Sequence, residues 1–139
     1  MAISFTSQYK TFKLVKSATI KKWIDTVIKK EKRKLGEIHY VFVSDEDLLK
    51  MNKQFLKHNT YTDIITFDYC EGKTINGDIF ISIDRIKENA IKFKTEFNDE
   101  LHRVLIHGVL HLCGYKDKTK KDALLMRKME ENSLSKRPF

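Results

Sequence analysis

The sequence predicts an α+β domain in which a mixed sheet of about four strands is covered by several helices. Segments whose apolar residues recur at helical spacing alternate with short β-branched and aromatic segments. The 139-residue chain has a single proline, Pro138, and no Gly/Ser-rich linker, repeat or low-complexity stretch. This argues against a second domain, so residues 1–139 are expected to fold as one unit.

The first half of the chain is predicted to alternate strands and helices. Residues 2–6 can form a short strand, and the run KKWIDTVIKKEKRK has the apolar spacing of an amphipathic helix, which Gly36 is expected to end. Residues 38–44 are β-branched and aromatic, as in a buried strand. Ser44 then has the position of an N-cap, followed by three acidic residues in the first turn of a second helix.

The second half is predicted to contain a hairpin followed by three helices. Residues 62–69 and 78–83 have strand composition, and the turn-rich stretch between them is short enough for an antiparallel hairpin. A third helix follows, and Asn98 is expected to cap the fourth. Thr119 resembles the first residue of a capping box that opens the last helix. Residues 135–139 are expected to fray.

Residues 107–117 read HGVLHLCGYKD, a pattern typical of a metal site on a central helix and the turn after it. His107 and His111 are four residues apart, so both imidazoles project from one helix face. Gly114 can stop the helix in a left-handed turn, which lets Asp117 supply a third ligand. Three protein ligands leave a fourth position open, as in catalytic zinc sites.

The simpler interpretation of this segment is a pair of core histidines with a surface aspartate. The helix around His107 and His111 is apolar on nearly every side, which is typical of a buried helix. Two buried imidazoles without partners would be costly, and metal ligation would remove that cost. The packing argument therefore favours the metal site.

Positive charge is concentrated at the start of the chain. The formal net charge is +8, and residues 1–36 hold ten Lys or Arg against only Asp25 and Glu31, whereas the remainder has 17 residues of each sign. The basic side of the first helix can be an ordinary solvated surface or a surface for phosphates, and in the second case binding should weaken steeply with salt. Both interpretations stay open.

Cysteine content and hydropathy bear on where the protein acts. Cys70 and Cys113 are too few for a disulfide framework, and Cys113 is interpreted as a packing residue. Nothing at the start of the sequence resembles a signal peptide or a membrane span. A cytoplasmic location and no membrane partner are expected.

With these motifs in view, the chain resembles the YbeY family of rRNA maturation endoribonucleases, whose hallmark is HGxLHLxGYDH. The resemblance covers roughly residues 38–134 and includes the stretches TDIITF and GDIFIS. It implies an α+β fold, one zinc ion per chain, cleavage of single-stranded RNA, and a role in small-subunit rRNA 3′-end maturation and ribosome quality control. RNA and the ribosome would be its partners. The matching residues are His107, Gly108, Leu110, His111, Leu112, Gly114, Tyr115, Asn52, Phe55, Glu130 and Glu131.

The chain departs from the family pattern at its third ligand. Asp117 stands where the family has histidine, and Lys116 stands where an aspartate is usual. A carboxylate is a sound zinc ligand. Its negative charge should nevertheless make bound water less acidic than three imidazoles would, unless Lys116 and Lys118 offset it.

A second departure removes a cation. The arginine that the family usually carries shortly after the Asn52 position is Leu56 here. Lys57 is adjacent, and Arg103 lies one turn before His107 on nearly the same helix face, so Arg103 is the candidate phosphate contact. Its alternative role is an ion pair with Asp99 or Glu100. A third departure is Tyr61, where proline is common.

The spacing of the histidines also resembles metzincin proteases, which leaves a zinc protease as an alternative enzyme. Those enzymes use the glutamate of HExxH as general base, and Gly108 occupies that position here. We therefore predict metal-assisted RNA cleavage with His107, His111 and Asp117 as ligands. Attack would come from metal-bound water or the ribose 2′-hydroxyl, and no side chain is assigned as base. A non-catalytic ribosome-binding factor with a structural metal is the third alternative.

Several other aromatic and histidine residues receive no role from the sequence. Single-stranded RNA is commonly recognised by stacking on aromatic side chains, and the candidates for such platforms are equally good core residues. The remaining histidines are interpreted as ordinary side chains. The unassigned residues are Tyr61, Phe67, Tyr115, His39, His58 and His102.

Overall fold

The computed structural model describes residues 2–139, which form four strands and five helices. Among these residues, no helix combines the length and the apolar composition needed to cross a bilayer. The elements are β1 (Ala2–Ser7), α1 (Ser17–Lys30), β2 (Lys34–Val43), α2 (Asp45–Phe55), β3 (Ile64–Asp68), β4 (Thr74–Ser82), α3 (Ile83–Lys92), α4 (Phe97–Leu112) and α5 (Lys120–Leu134).

The four strands form one mixed sheet in the order β1-β2-β4-β3. β1, β2 and β4 are parallel, and β3 pairs antiparallel with β4, with Thr66 opposite Ile79. The predicted α+β class and the predicted hairpin are therefore confirmed. β1 and β3 are the two edges of the sheet, so they lie on opposite sides of the molecule.

α4 lies at the centre of the main core and approaches the sheet closely. A Cβ atom on Gly108 would come within 3.0 Å of Ile79 Cδ1 and 3.1 Å of Ile64 Cδ1. The Tyr40 hydroxyl on β2 donates a hydrogen bond of 2.8 Å to the carbonyl of Leu105, which ties the helix to the sheet. α1 packs beside α4 through buried side chains, which are Ile20, Trp23, Ile24, Val27 and Ile28.

The prediction that Gly36 ends the first helix is wrong. α1 ends at Lys30, and Lys32 takes the left-handed conformation (φ 58°) while the N–H of Arg33 donates to the Ile28 carbonyl at 3.1 Å. Gly36 instead lies in β2, where an added Cβ would overlap the side-chain oxygen of Asn76. That position requires glycine because of a neighbouring strand and not because of a helix end.

Two of the three predicted helix starts are confirmed. The Ser44 hydroxyl accepts from the N–H of Asp47 at 3.2 Å, and the Thr119 hydroxyl accepts from the N–H of Asp122 at 3.0 Å. Asn98 is not the cap of the histidine helix. α4 begins two residues earlier than predicted, with Glu96 at the N-cap and no side-chain cap, so Asn98 lies inside its first turn.

The chain after α5 is not frayed as predicted, because two of its residues pack against α4. Arg137 Nη1 donates to Asp99 Oδ1 at 2.9 Å, and the Phe139 ring lies 5.0 Å from the His102 ring. His102 is only 7% exposed and also contacts Trp23 at 6.0 Å between ring centroids. It is an ordinary packed side chain, as its sequence context indicates.

His102 is held in its neutral form. Arg137 Nη1 lies 2.8 Å from its Nδ1, and because a guanidinium can only donate, Nδ1 must accept. Burial, followed by the charge of Arg137, lowers the pKa of His102 to about 4. A histidine exposed in the unfolded chain titrates at roughly 6.5.

We predict that His102 makes the protein lose stability in mild acid. The unfolded chain binds a proton at His102 below pH 6.5, whereas the folded chain binds it only near pH 4. The stability is therefore complete above pH 6.5, and about 2 kcal/mol should be lost between pH 7.5 and pH 5. Urea unfolding of the wild type and of His102→Phe at the two pH values measures this difference.

The variant should show a smaller drop in the free energy of unfolding between the two pH values than the wild type. The exposed His58, changed to Phe, is the control and should keep the wild-type dependence. If His102→Phe retains the full acid loss, the neutral, buried His102 is not its cause.

Candidate metal centre

The two histidines of α4 lie on the side of the helix that faces solvent. The His107 side chain is 21% exposed, and His111 is exposed. The argument that two buried, unpartnered imidazoles require a metal is therefore wrong for this fold. The sheet takes up the face of α4 that carries Gly108, and the histidines border a cleft instead of the core.

His107 is the best-defined residue of the site. Its Nδ1 lies 2.7 Å from Glu130 Oε2 on α5, and its Nε2 lies 3.3 Å from Asp117 Oδ2. An ionised Glu130 accepts a hydrogen bond from the Nδ1–H group, which leaves Nε2 turned toward Asp117. Burial lowers the pKa of His107, but the carboxylates of Glu130, Asp63 and Asp117 together raise it above its ordinary value.

Glu130 is itself buried and held by a second partner. Its Oε1 lies 3.1 Å from Arg103 Nη1, and the side chain is 6% exposed. Burial raises the pKa of Glu130, but the hydrogen bond and charge of His107 and the bond from Arg103 lower it overall. The carboxylate therefore stays ionised between His107 and Arg103, and it fixes the ring of His107.

Arg103, the candidate phosphate contact, directs its guanidinium at carboxylates. Besides Glu130, its Nη2 lies 2.6 Å from Glu131 Oε1, and its Nε lies 3.8 Å from Glu100. Arg103 therefore forms ion pairs, as the alternative interpretation expects. Its main partners are Glu130 and Glu131, whereas Asp99 pairs with Arg137. A phosphate would compete with Glu131, the more exposed of these carboxylates, and that contact stays a prediction.

The turn after α4 has the geometry that its sequence predicts. Gly114 has a φ of 107°, and its N–H donates to the His111 carbonyl at 3.0 Å, while the N–H of Tyr115 donates to the Leu110 carbonyl at 3.1 Å. The turn is also held from outside, because Arg33 Nη2 donates to the carbonyl of Cys113 at 3.0 Å. These bonds bring the following chain back across the helix end, so that Asp117 faces His107.

The separation of His107 and Asp117 fits a tetrahedral zinc site. Zinc–nitrogen and zinc–oxygen bonds of about 2.1 Å at a tetrahedral angle place the two donor atoms about 3.4 Å apart. The observed distance is 3.3 Å. Within residues 2–139, no group of three or more His, Cys, Asp or Glu side chains is already gathered as a metal site. His111 is exposed, so its orientation is not fixed by packing.

Asp63 belongs to this neighbourhood and was missed by the sequence analysis. It directly precedes β3, and its charge interacts with those of His107 and Glu130. Burial raises the pKa of Asp63, and the opposing effect of His107 is smaller. No spacing motif marks this position, because it lies near the start of the predicted strand over residues 62–69.

The predicted aromatic platforms differ in accessibility. Tyr61 is 50% exposed, and its hydroxyl donates to Glu46 at 2.8 Å while Arg85 lies 5.4 Å from its ring centroid. Phe67 packs edge-on against Phe55 and Phe80. Only Tyr61 among these rings offers a large open surface.

The other residues left without a role are engaged elsewhere or lie apart from the site. The Tyr115 hydroxyl donates to Glu31 at 2.7 Å, and His39 hydrogen-bonds with Ser4. Cys113 is buried, and burial raises the pKa of its thiol to about 12, which agrees with a packing role. Leu56, where the family has its arginine, is 45% exposed.

Comparisons with known proteins agree on one family. The sequence profile described as Endoribonuclease YbeY matches residues 4–137. The Endoribonuclease YbeY of Cytophaga hutchinsonii is 54% identical over 138 residues, covering 99% of this chain and 96% of the relative. That of Bacteroides thetaiotaomicron is 44% identical over 137 residues, covering 99% and 100%. The solution structure of TM1509 from Thermotoga maritima has a TM-score of 0.69 at 27% identity, covering 96% of this chain and 87% of that one.

We predict that Gly114→Ala weakens metal binding through the backbone alone. The nearest atom to an added Cβ would be Arg33 Nη2 at 3.8 Å, so the methyl group fits, but the φ of 107° is unfavourable for any L side chain. The cost should be about 1–2 kcal/mol of stability. Relaxation of the turn would move Asp117 away from His107, and a zinc titration followed by calorimetry measures the loss of affinity.

Gly72→Ala is the matched control. Gly72 also has a positive φ (57°) with nothing within 4 Å of an added Cβ, and it lies in the β3–β4 turn. Both variants should lose similar stability to thermal unfolding, but only Gly114→Ala should lose zinc affinity. Equal affinities in the two variants would contradict a ligand role for Asp117.

Proposed function

Because the chain belongs to the YbeY family of endoribonucleases, we propose that it is a zinc-dependent endoribonuclease that cleaves single-stranded RNA. Its role would be the 3′-end maturation of small-subunit rRNA and ribosome quality control in the cytoplasm, with rRNA and the ribosome as partners. The observation that supports this most directly is the 3.3 Å separation of His107 Nε2 and Asp117 Oδ2, beside a histidine whose other nitrogen is held by Glu130.

His107, His111 and Asp117 would hold the zinc ion. When bound, zinc supplies a Lewis acid for a phosphate oxygen and makes water more acidic. Glu130 orients His107 and increases its basicity, as a carboxylate behind a metal-binding histidine does. Asp117 contributes an anionic ligand, which should make this site less acidifying than one with three neutral imidazoles.

The surroundings of Gly108 disfavour the protease alternative. That position faces Ile64 and Ile79 at 3.0–3.1 Å from a hypothetical Cβ, so a glutamate there would point into the core and could not act as base. Phosphodiester cleavage needs stabilisation of the developing charge and an attacking oxygen, from water or from the ribose 2′-hydroxyl. The residues of the site suit this chemistry without a dedicated base.

The basic end of α1 supports RNA as the substrate. Arg33 binds the carbonyl of Cys113, so the connection between α1 and β2 lies against the turn that carries Asp117. The lysines of this region, called the basic surface here, flank the connection that Arg33 ties to the turn, and we propose that they contact the RNA backbone. They are Lys29, Lys30, Lys32 and Lys34.

The first experiment separates an enzyme from a factor with a structural metal. His111 is exposed, so His111→Ala should fold as the wild type does. We expect it to bind a single-stranded RNA with unchanged affinity and to cleave it roughly a hundredfold more slowly or worse, because a zinc ligand is lost. Cleavage is followed on a defined RNA before and after chelation of the metal.

His58→Ala, which changes an exposed histidine outside the cleft, is the control and should cleave normally. Loss of folding in His111→Ala alone would favour the structural metal. Wild-type cleavage by a folded His111→Ala chain would overturn the proposed ligand set.

The second experiment tests the basic surface. Changing its four lysines to Gln should weaken RNA binding and make it less sensitive to salt, because counterion release per lysine is lost. The slope of log affinity against log salt should become shallower by about 3 units. Four lysines of α2 and α3 changed to Gln provide a charge-matched control that should keep the wild-type slope. These control positions are Lys50, Lys53, Lys87 and Lys92.

If both quadruple variants lose the same affinity and slope, RNA is attracted by net charge and not by the basic surface. If the first variant binds RNA as the wild type does at low salt, the surface takes no part in binding.

A further inference from the structure

A cavity lies at the β1 edge of the sheet, which is the edge opposite the candidate metal centre. It has a volume of about 310 Å³ and lies between the end of β1 and the start of α1. The metal centre borders β3, the opposite edge, with β2 and β4 between them. Two aromatic rings, two lysines and two serines form most of the cavity wall, and these are Phe5, Phe42, Lys13, Lys21, Ser7 and Ser17.

The cavity is strongly positive. Neither Lys13 nor Lys21 has a carboxylate within 4.0 Å among residues 2–139, and no acidic residue lines the cavity. The chain from Ser7 to Lys22 contains five lysines and no acidic residue. Two unpaired ammonium groups on one small cavity repel each other, and an anion bound between them would remove that repulsion.

The aromatic part of the wall is held firmly. The Phe5 ring stacks on Tyr40 with centroids 5.1 Å apart, and the Phe42 ring meets Phe12 edge-on at 4.9 Å. Lys21 Nζ lies 6.0 Å from the centroid of Phe5, so a cation and an aromatic surface are adjacent in the same cavity. Lysine beside aromatic rings is the combination by which proteins bind a nucleotide's phosphate and base together.

The Ser7 hydroxyl of the wall already has hydrogen-bond partners, whereas the Ser17 hydroxyl is available to a ligand. The Ser7 hydroxyl donates to the Tyr9 carbonyl at 3.1 Å and also accepts from the N–H of Tyr9 at 3.3 Å. Ser17, the first residue of α1, has a half-buried side chain without a hydrogen bond to any residue in 2–139. It can donate to an anion held by the two lysines.

We propose that this cavity binds one nucleoside monophosphate unit, either as a free mononucleotide or as part of an RNA strand. Lys13, Lys21 and the Ser17 hydroxyl would contact the phosphate, and the base would lie against the partly exposed Phe5 ring, which the buried Phe42 supports from behind. The volume is at the lower end of small-ligand sites, which suits a single nucleotide. The RNA form of this proposal rests on the endoribonuclease function, whereas the free-nucleotide form does not.

The direct test is a titration of the full-length protein with AMP, followed by backbone amide NMR. We expect saturable shifts at Phe5, Ser17 and Lys21, and binding about tenfold weaker for each lysine lost in Lys13→Gln/Lys21→Gln. Lys10→Gln/Lys22→Gln removes the same charge from the same segment at positions outside the cavity wall, and it should bind as the wild type does.

Adenosine and inorganic phosphate separate the two halves of the ligand, and each should bind more weakly than AMP. The proposal is overturned if AMP gives no saturable shifts at the cavity, if the two double variants lose equal affinity, or if phosphate alone binds as tightly as AMP.

Measurements with RNA distinguish a nucleotide within an RNA strand from a free mononucleotide as the ligand of the cavity. If an RNA strand enters the cavity, Lys13→Gln/Lys21→Gln should raise the KM for a long single-stranded RNA and leave that of a short oligonucleotide unchanged. If AMP binding is lost while RNA binding is unchanged, the ligand is a free mononucleotide. His111→Ala should give the same AMP shifts as the wild type, so the cavity can be established even if the proposed cleavage fails.

Discussion

The close approach of α4 to the sheet at Gly108 determines where the site can form. The helix contacts Ile64 and Ile79 so tightly there that a methyl group would force the neighbours to move. With that face fixed against the sheet, His107 and His111 are directed away from the core and toward β3, α5 and the returning chain. The same contact prevents position 108 from carrying a carboxylate into the cleft. One packing constraint thus places the imidazoles and also removes the general base that a zinc protease of this spacing would use.

The site also depends on electrostatic contacts between α4 and α5. Glu130 is buried between His107 and Arg103, and each of the three side chains would be costly in this environment without the others. The mutual effect shifts both groups, because the pKa of His107 is raised and that of Glu130 is lowered despite burial of both. Arg103 therefore serves first to keep Glu130 ionised. The orientation of the His107 ring is then a consequence of packing between α4 and α5, which are 23 residues apart at this contact.

Local spacing was enough to predict the glycine turn and most elements, because these depend on residues within one or two helical turns, and the same spacing is the basis of the proposed ligand set. The helix end that was predicted wrongly depends on a less common backbone choice. Lys32, just after α1, takes the left-handed conformation where glycine is most common, at a cost of about 1 kcal/mol or more. A sequence rule that places helix ends at glycine selects Gly36 instead. Glycine is required at position 36 because the side chain of Asn76, 40 residues later on β4, occupies the space of a Cβ atom. Glu130 and Asp63 likewise enter the site through tertiary contacts that no spacing encodes.

The many carboxylates of the candidate metal centre make the position of the basic surface important for binding a negatively charged substrate. Asp63, Asp117 and Glu130 surround His107 with carboxylates, and Arg103 is committed to Glu130 and Glu131. Leu56 provides no charge in place of the family's arginine, so an RNA phosphate entering the cleft would meet a net negative environment unless cations came from elsewhere. The bond from Arg33 to the Cys113 carbonyl holds the end of α1 against the turn that carries Asp117. The connection between α1 and β2, which the lysines of the basic surface flank, is thereby tied to that turn, where these lysines can compensate the carboxylates and attract a phosphate that the carboxylates would otherwise repel.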